Sequence, residues 1–292
     1  MQNLRTIRRK IRAVRNIQKI TQAMKMVAAA RLRRVQDRAL AGHPYAQKLE
    51  QIVETIAPYV ATIEHPLLEL RQVNRVGLVV VTGDKGLCGA YNSNVIRIAV
   101  KFIEERQAGG CPVSIFCVGR KGGSYFVKRD YSVHRAIEQI SVHEPFREAQ
   151  RIAWDIVDWF TSGNVDEVHF AYTEFKSASI YYPRMHKLLP IERPSGEPTA
   201  PFAVEYIFEP PAHQLLAILL PRYVENQIYQ ILLDSLASEL AARVQAMTAA
   251  SENAADMLEE LTLQANKIRQ WVITKELLEI TTAAEALRYA QA

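Results

Sequence analysis

The sequence predicts an α/β fold in which a central, mainly parallel, Rossmann-like α/β domain carries a long antiparallel coiled coil made from the N- and C-terminal helices. Three observations predict it. All 12 Gly and all 13 Pro of the 292 residues fall between Gly42 and Pro221, so both ends are free of helix breakers. Both ends repeat apolar residues at 3,4 spacing, and the middle changes to short β-branched runs separated by helical stretches. The expected division is an N-terminal coiled-coil helix over 1–58, a central α/β domain over 70–209 and a C-terminal coiled-coil helix over 210–292.

In the N-terminal helix the repeat reads Leu4, Ile7, Ile11, Val14, Gln18, Thr21, Lys25, Ala28, Leu32, Val35, Ala39. An a/d register held over five heptads is the pattern of a helix wound on a partner. A second stripe, Ile17, Ile20, Met24 and Val27, runs beside it where the first turns polar, which implies more than one neighbour. Gly42 and Pro44 are expected to interrupt this helix, and Tyr45 to Ala57 to resume it up to Pro58.

In the middle, Val76–Thr82, Pro112–Val118, Val165–Thr173 and Phe202–Phe208 read as strands. Asn92–Arg106, Gly119–Lys128 and Pro145–Phe160 read as helices between them. Strand, helix, strand in that order gives βαβ units and a sheet covered on both faces. Ile191–Pro201 reads as a Pro-rich surface connection.

Residues 222–292 contain neither Gly nor Pro, and at 1.5 Å per residue they would reach roughly 105 Å as one helix. Their stripe is read as Leu236, Leu240, Arg243, Met247, Ala250, Ala254, Met257, Leu261, Gln264, Ile268, Trp271, Lys275 and Leu278. Two heptad-bearing ends leaving one body predict an antiparallel pairing.

Composition excludes several classes. A chain with 49% hydrophobic residues and 23% charged ones is neither disordered nor collagen-like. Three cysteines, Cys88, Cys111 and Cys117, show no C-x-x-C spacing and argue against a zinc site or a disulfide framework. The net charge of +5 conceals an asymmetry: residues 1–38 hold 12 Lys/Arg against Asp37 alone, a net +11, and the other 254 residues carry −6. A basic helix with heptads suggests nucleic acid, but the cations Arg5, Arg8, Arg9, Arg12 and Arg15 are interleaved with the heptads rather than placed before them, so an acidic protein surface fits better.

The most enzyme-like element is Gly83-Asp84-Lys85-Gly86-Leu87-Cys88-Gly89, a Gly-rich turn after the first strand. It matches neither G-x-x-x-x-G-K-[ST] nor G-x-G-x-x-G, so it lacks the lysine and hydroxyl that hold a triphosphate with magnesium. Cys88 has no His assigned to it as a base, and the seven His residues include no i, i+4 pair. No cofactor or metal is implied. The reading that competes is a free-standing α/β nucleotide-binding enzyme with helical arms.

Three separated segments carry a resemblance: Ile20-Thr-Gln-Ala-Met-Lys-Met-Val-Ala-Ala-Ala30, the turn Gly83–Gly89, and Glu260-Leu-Thr-Leu-Gln-Ala-Asn-Lys-Ile-Arg-Gln270 followed by Ile273-Thr-Lys-Glu-Leu-Leu-Glu-Ile280. Together they resemble the gamma subunit of F-type ATP synthases over the whole chain. The resemblance implies a non-catalytic rotor shaft threading the ring of alpha and beta subunits, with the α/β body on the epsilon subunit and the membrane c-ring. It implies peripheral placement on the cytoplasmic face of a bacterial plasma membrane, reaching the membrane only through the c-ring. By the same resemblance, Lys267, Arg269 and Gln270 would contact the beta catch loops and Met24 and Lys25 the coupling region. Lys85 and Cys88 would approach the acidic lever of a beta subunit. Thr281, Thr282, Ala283, Ala284 and Leu287 would form the tip in an apolar bearing. The sequence departs from the family pattern in having Ala at the tip where relatives carry Gly, and Ala265 in place of an aromatic.

Overall fold

A computed structural model describes residues 4–56, 65–140, 144–191 and 209–290. The expected strand Phe202–Phe208 and nearly all of the Pro-rich connection lie outside these residues, as does the side chain of Leu287.

Two elements are far longer than the rest: α1, Leu4–Ile56, and a C-terminal helix, Ala212–Ala290. Between them run β1 (Val76–Val81), α2 (Tyr91–Ala108), β2 (Val113–Val118), α3 (Arg120–Val127), β3 (Val133–Ile137), α4 (Pro145–Thr161), β4 (Glu167–Phe175) and β5 (Tyr181–Leu189), so the C-terminal helix is α5. Gly42 and Pro44 do not interrupt α1, which corrects the expectation of a break. Pro221 likewise sits inside α5, so that helix begins ten residues earlier than the breaker-free stretch. A proline inside a helix removes one hydrogen bond, and packing of the neighbouring turns can hold the helix through it. Around Pro221 the helix is packed, with Leu216, Leu220 and Val224 buried, whereas Leu40 and Tyr45 beside Pro44 are exposed and the buried Leu49 lies just over a turn beyond it.

The chain divides into two units. The first joins Met1–Val27 to Val244–Ala292. Here the α1 segment ends at Val27 and the α5 segment begins at Val244, so the helices lie along each other in opposite directions. Burial in α1 falls on the expected seam: Ile7 and Thr21 are buried and Leu4, Ile11, Val14, Gln18 and Lys25 half-buried. On α5 the seam runs through Met247, Ser251, Ala254, Leu258, Leu261, Ala265, Ile268 and Val272. That corrects part of the predicted stripe, because Met257, Trp271, Lys275 and Leu278 are exposed. Every described side chain from Ile273 onward is exposed.

The second unit, Ala28–Arg243, contains a five-stranded sheet of order β3-β2-β1-β4-β5. β1, β2, β3 and β4 are parallel neighbours, and β5 is antiparallel to β4. One face of the sheet, with Val76, Leu78, Val80, Ile115 and Cys117, packs on Val95, Ala99 and Ile103 of α2 and Phe126 of α3. The other, with Val79, Val81, Phe116, Phe170 and Tyr172, packs on Ile152, Ile156 and Phe160 of α4 and on Val224, Ile228, Ile231 and Leu232 of α5. Each such fully buried aliphatic or aromatic side chain contributes about 1.5–3 kcal/mol by leaving water. The sheet therefore uses α5 as one of its covering helices. β3 and β5 were not foreseen as strands; among the described residues both are edges, and their sequences carry cations and, in β5, Pro183.

Candidate functional site

Two regions hold the side chains singled out from sequence. The first is the Gly-rich turn in the second unit. Val81 ends β1 at the carboxyl edge of the sheet, where open α/β folds bind ligands. Here the chain itself enters that position. A Cβ on Gly83 would fall 2.7 Å from the carboxyl carbon of Glu239, which presses in from α5. The N–H of Gly83 donates to Asn92 Oδ1 at 2.9 Å. Asp84 Oδ1 accepts from the N–H of Arg120 at 2.9 Å and of Gln139 at 3.2 Å, so a carboxylate already caps the start of α3 where a phosphate would sit. Arg243 pairs with Glu239 and donates to the Gly86 carbonyl at 3.3 Å. The turn is thus tied to α5 and α3. A cavity of about 210 Å³ remains beside it, lined by Arg31, Thr82, Lys85, Tyr91, Glu239 and Arg243 among others.

Within the turn Lys85 and Leu87 are exposed, and Cys88 is 1% exposed. Cys88 packs on Tyr91 and Ala242, and Asn92 Nδ2 donates to its Sγ at 3.2 Å. Burial, with the Glu239 carboxylate beside it, pushes the Cys88 thiol up from its ordinary value, the opposite of what a nucleophile needs. Within this chain the Cys88 side chain faces inward, against Tyr91 and Ala242, and Lys85 and Leu87 are the outward groups of the turn. Glu239, Asn92 and Asp84, which hold the turn, escaped sequence reasoning; only Arg243 stood out, as a charged residue on a seam.

The second region is the paired-helix unit. Among the described residues Ile17 (53% exposed), Ile20 (58%) and Val27 (52%) of the second stripe find no cover, and Met24 and Lys25 are half-buried. Arg8, Arg9, Arg12 and Arg15 are exposed on the same helix. On α5, Lys267, Arg269 and Gln270 are exposed together, with Leu263, Trp271 and Ile273 beside them. Thr281, Thr282, Ala283 and Ala284 are exposed too, the two threonine hydroxyls donating to the carbonyls of Leu277 and Leu278. Among the described residues no group of three His, Cys, Asp or Glu side chains is placed to hold a metal, and no helix is long and apolar enough to cross a membrane.

A doubly covered sheet together with two long helices that leave apolar and cationic stripes exposed has the build of a stalk protein. Comparison with known proteins makes the class specific. A family model described as ATP synthase matches residues 3–287. The ATP synthase gamma chain of Desulfitobacterium hafniense is 42% identical over 287 residues, covering 98% of this chain and 100% of that one. The gamma chain of Solibacter usitatus is 43% identical over 290 residues, covering 98% and 99%. The chain belongs to the ATP synthase gamma chain family. Among solved structures, the central stalk and c-ring of the Tetrahymena thermophila mitochondrial ATP synthase contains a chain 26% identical with TM-score 0.62, covering 80% of this chain and 99% of that one. A chain of the Euglena gracilis mitochondrial ATP synthase, 17% identical with TM-score 0.68 and covering 99% and 96%, shares the fold.

Proposed function

We propose that this chain is the central rotor shaft of an F1Fo ATP synthase, coupling ion-driven rotation of the c-ring to conformational cycling of the beta catalytic sites, and that it catalyses nothing itself. The observation that carries the reading is the unequal cover of α1: one stripe is sealed against α5, while Ile17, Ile20 and Val27 beside it remain exposed among cations. An exposed apolar stripe needs a partner, and exposed arginines favour an acidic one.

On this reading the arm lies within the ring of alpha and beta subunits, and the α/β body meets the epsilon subunit and the c-ring, on the cytoplasmic face of a bacterial plasma membrane. Lys267, Arg269 and Gln270 engage the beta catch loops, Met24 and Lys25 the coupling region, and the loop of Lys85 and Cys88 approaches the acidic lever. Thr281, Thr282, Ala283, Ala284 and Leu287 turn in the bearing. A shaft drives its partners only if it binds their conformers unequally, and stripes of different chemistry around one arm provide that asymmetry. The experiment is Arg269→Glu with Gln270→Ala in the assembled complex. ATP synthesis and rotation torque are expected to fall while the complex still assembles; unchanged coupling in the assembled double variant removes the catch-loop assignment.

A further inference from the structure

The cavity beside the Gly-rich turn lies wholly within the second unit, at the carboxyl edge of the parallel strands, and its two ends differ in chemistry. The inner end is buried and largely apolar: Val81 ends β1 there, and Leu232 and Leu240 reach it from α5. Two buried hydroxyl-bearing side chains, Tyr91 and Ser235, join them. The outer end carries Arg31 of α1 and Lys85 of the turn, both exposed. Among the described residues neither of these cations is paired. The other charged groups of the lining are engaged. Arg243 pairs with Glu239 and donates to the Gly86 carbonyl at 3.3 Å, and Asp84 Oδ1 accepts the N–H of Arg120 at 2.9 Å and of Gln139 at 3.2 Å. Arg31, Lys85 and Arg243 against Asp84 and Glu239 leave the lining one net positive charge.

A concavity that joins an apolar floor to unpaired cations suits a ligand with both characters. We propose that this cavity binds a small organic carboxylate with a compact apolar body, of the size and kind of benzoate. Its volume of about 210 Å³ is the share of about seven liquid waters, enough for a single ring with its carboxylate and too little for a nucleotide. The ring displaces water from Val81, Leu232 and Leu240, where burial of apolar surface is favourable. The carboxylate stays at the outer end with Arg31 and Lys85, still partly hydrated, so its charge is not carried into the floor. One negative charge matches the net charge of the lining, whereas a phosphate dianion would be repelled by Asp84 and Glu239 as well. The assignment rests on the cavity and does not depend on a rotor role.

The test uses the full chain with labelled methyl groups, titrated at constant ionic strength with benzoate, with uncharged benzamide and with phenyl phosphate. Saturable shifts are expected at the methyls of Ile140, Leu232, Leu236 and Leu240, which line the cavity. Benzamide, which offers no charge to Arg31 and Lys85, is expected to bind at least about fivefold more weakly than benzoate. Arg31→Gln and Lys85→Gln change exposed side chains, so both variants keep the fold, and each is expected to weaken benzoate by about two- to fivefold without affecting benzamide. Absence of saturable shifts at these methyls up to about 50 mM benzoate overturns the proposal. Equal binding of benzoate and benzamide, or benzoate binding unchanged in both variants, overturns the anion assignment. Tighter binding of phenyl phosphate than of benzoate overturns the carboxylate assignment.

Discussion

The carboxylate of Glu239 lies directly on the backbone of Gly83, its carboxyl carbon 2.7 Å from where a Cβ would stand. One glycine and one acid thus meet at the end of β1. Gly83→Ala is expected to cost about 1–3 kcal/mol, because Arg243 holds Glu239 in place and the methyl has nowhere to go. Combining it with Glu239→Ala should recover much of that loss relative to the sum of the two single variants. Chemical denaturation of the four chains measures the coupling, and strict additivity would show that the two do not touch.

Gly119 is more demanding. Its φ is +95°, and a Cβ there would stand 2.0 Å from the Thr82 carbonyl oxygen. Gly119→Ala is expected to cost at least about 3 kcal/mol, combining a disfavoured backbone with a backbone clash. The yield of folded protein and its thermal midpoint report it.

The two stripes of α1 should respond oppositely. Ile7 is fully buried, so Ile7→Ala is expected to cost about 2–5 kcal/mol in local stability of the paired helices, read by amide hydrogen exchange. Ile20→Ser should change the stability of the isolated chain by no more than about 0.5 kcal/mol and still weaken coupling in the complex. Loss of isolated-chain stability in Ile20→Ser would mean that the second stripe is already covered.

Thiol chemistry follows burial. Cys88 and Cys117 are buried, and burial pushes Cys117 up to about 12. Cys111 is half-buried before β2. In native protein Cys111 is expected to react with iodoacetamide at least tenfold faster than the other two, and all three at comparable rates in denaturant, as mass spectrometry would resolve.

At the start of β4, His169 is buried against Phe102 and 3.0 Å from Glu167 Oε2. Burial pushes its imidazole below 6.5 in spite of that carboxylate. The unfolded chain therefore takes up a proton that the folded one resists, and stability falls as pH drops below about 6.5. His169→Gln, which can still donate to Glu167, is expected to flatten that acid slope; an unchanged slope in thermal melts between pH 7 and pH 5 would assign it elsewhere.

The helical arm was legible because its information is local. Eleven positions at 3,4 spacing in α1 predict its seam without any knowledge of the partner. In α5 half of the seam, Met247, Ala254, Leu261 and Ile268, was placed correctly and the other half one residue early. At those places two apolar neighbours compete, Met257 with Leu258 and Trp271 with Val272, and only the packed partner selects one. The edge strands were illegible for a different reason. β3 reads VHRAI and β5 carries Pro183, Arg184 and Lys187, residues that an exposed edge tolerates and that erase the alternation a half-buried strand would show. The role of the Gly-rich turn could not be read locally either, since what fills it, Glu239, lies 156 residues further along the chain.

The exposure of α5 from Ile273 onward bears on mechanics. Two helices locked along a seam resist bending together, whereas a lone helix relies on its own hydrogen bonds and on weak surface pairs such as Lys275 with Glu279. Thr281 and Thr282 also bond back to preceding carbonyls, an arrangement that slightly loosens and bends a helix. Compliance is therefore graded along α5: the paired stretch behaves as a stiff rod, and the stretch beyond it as a soft spring that can yield under load before the rod does.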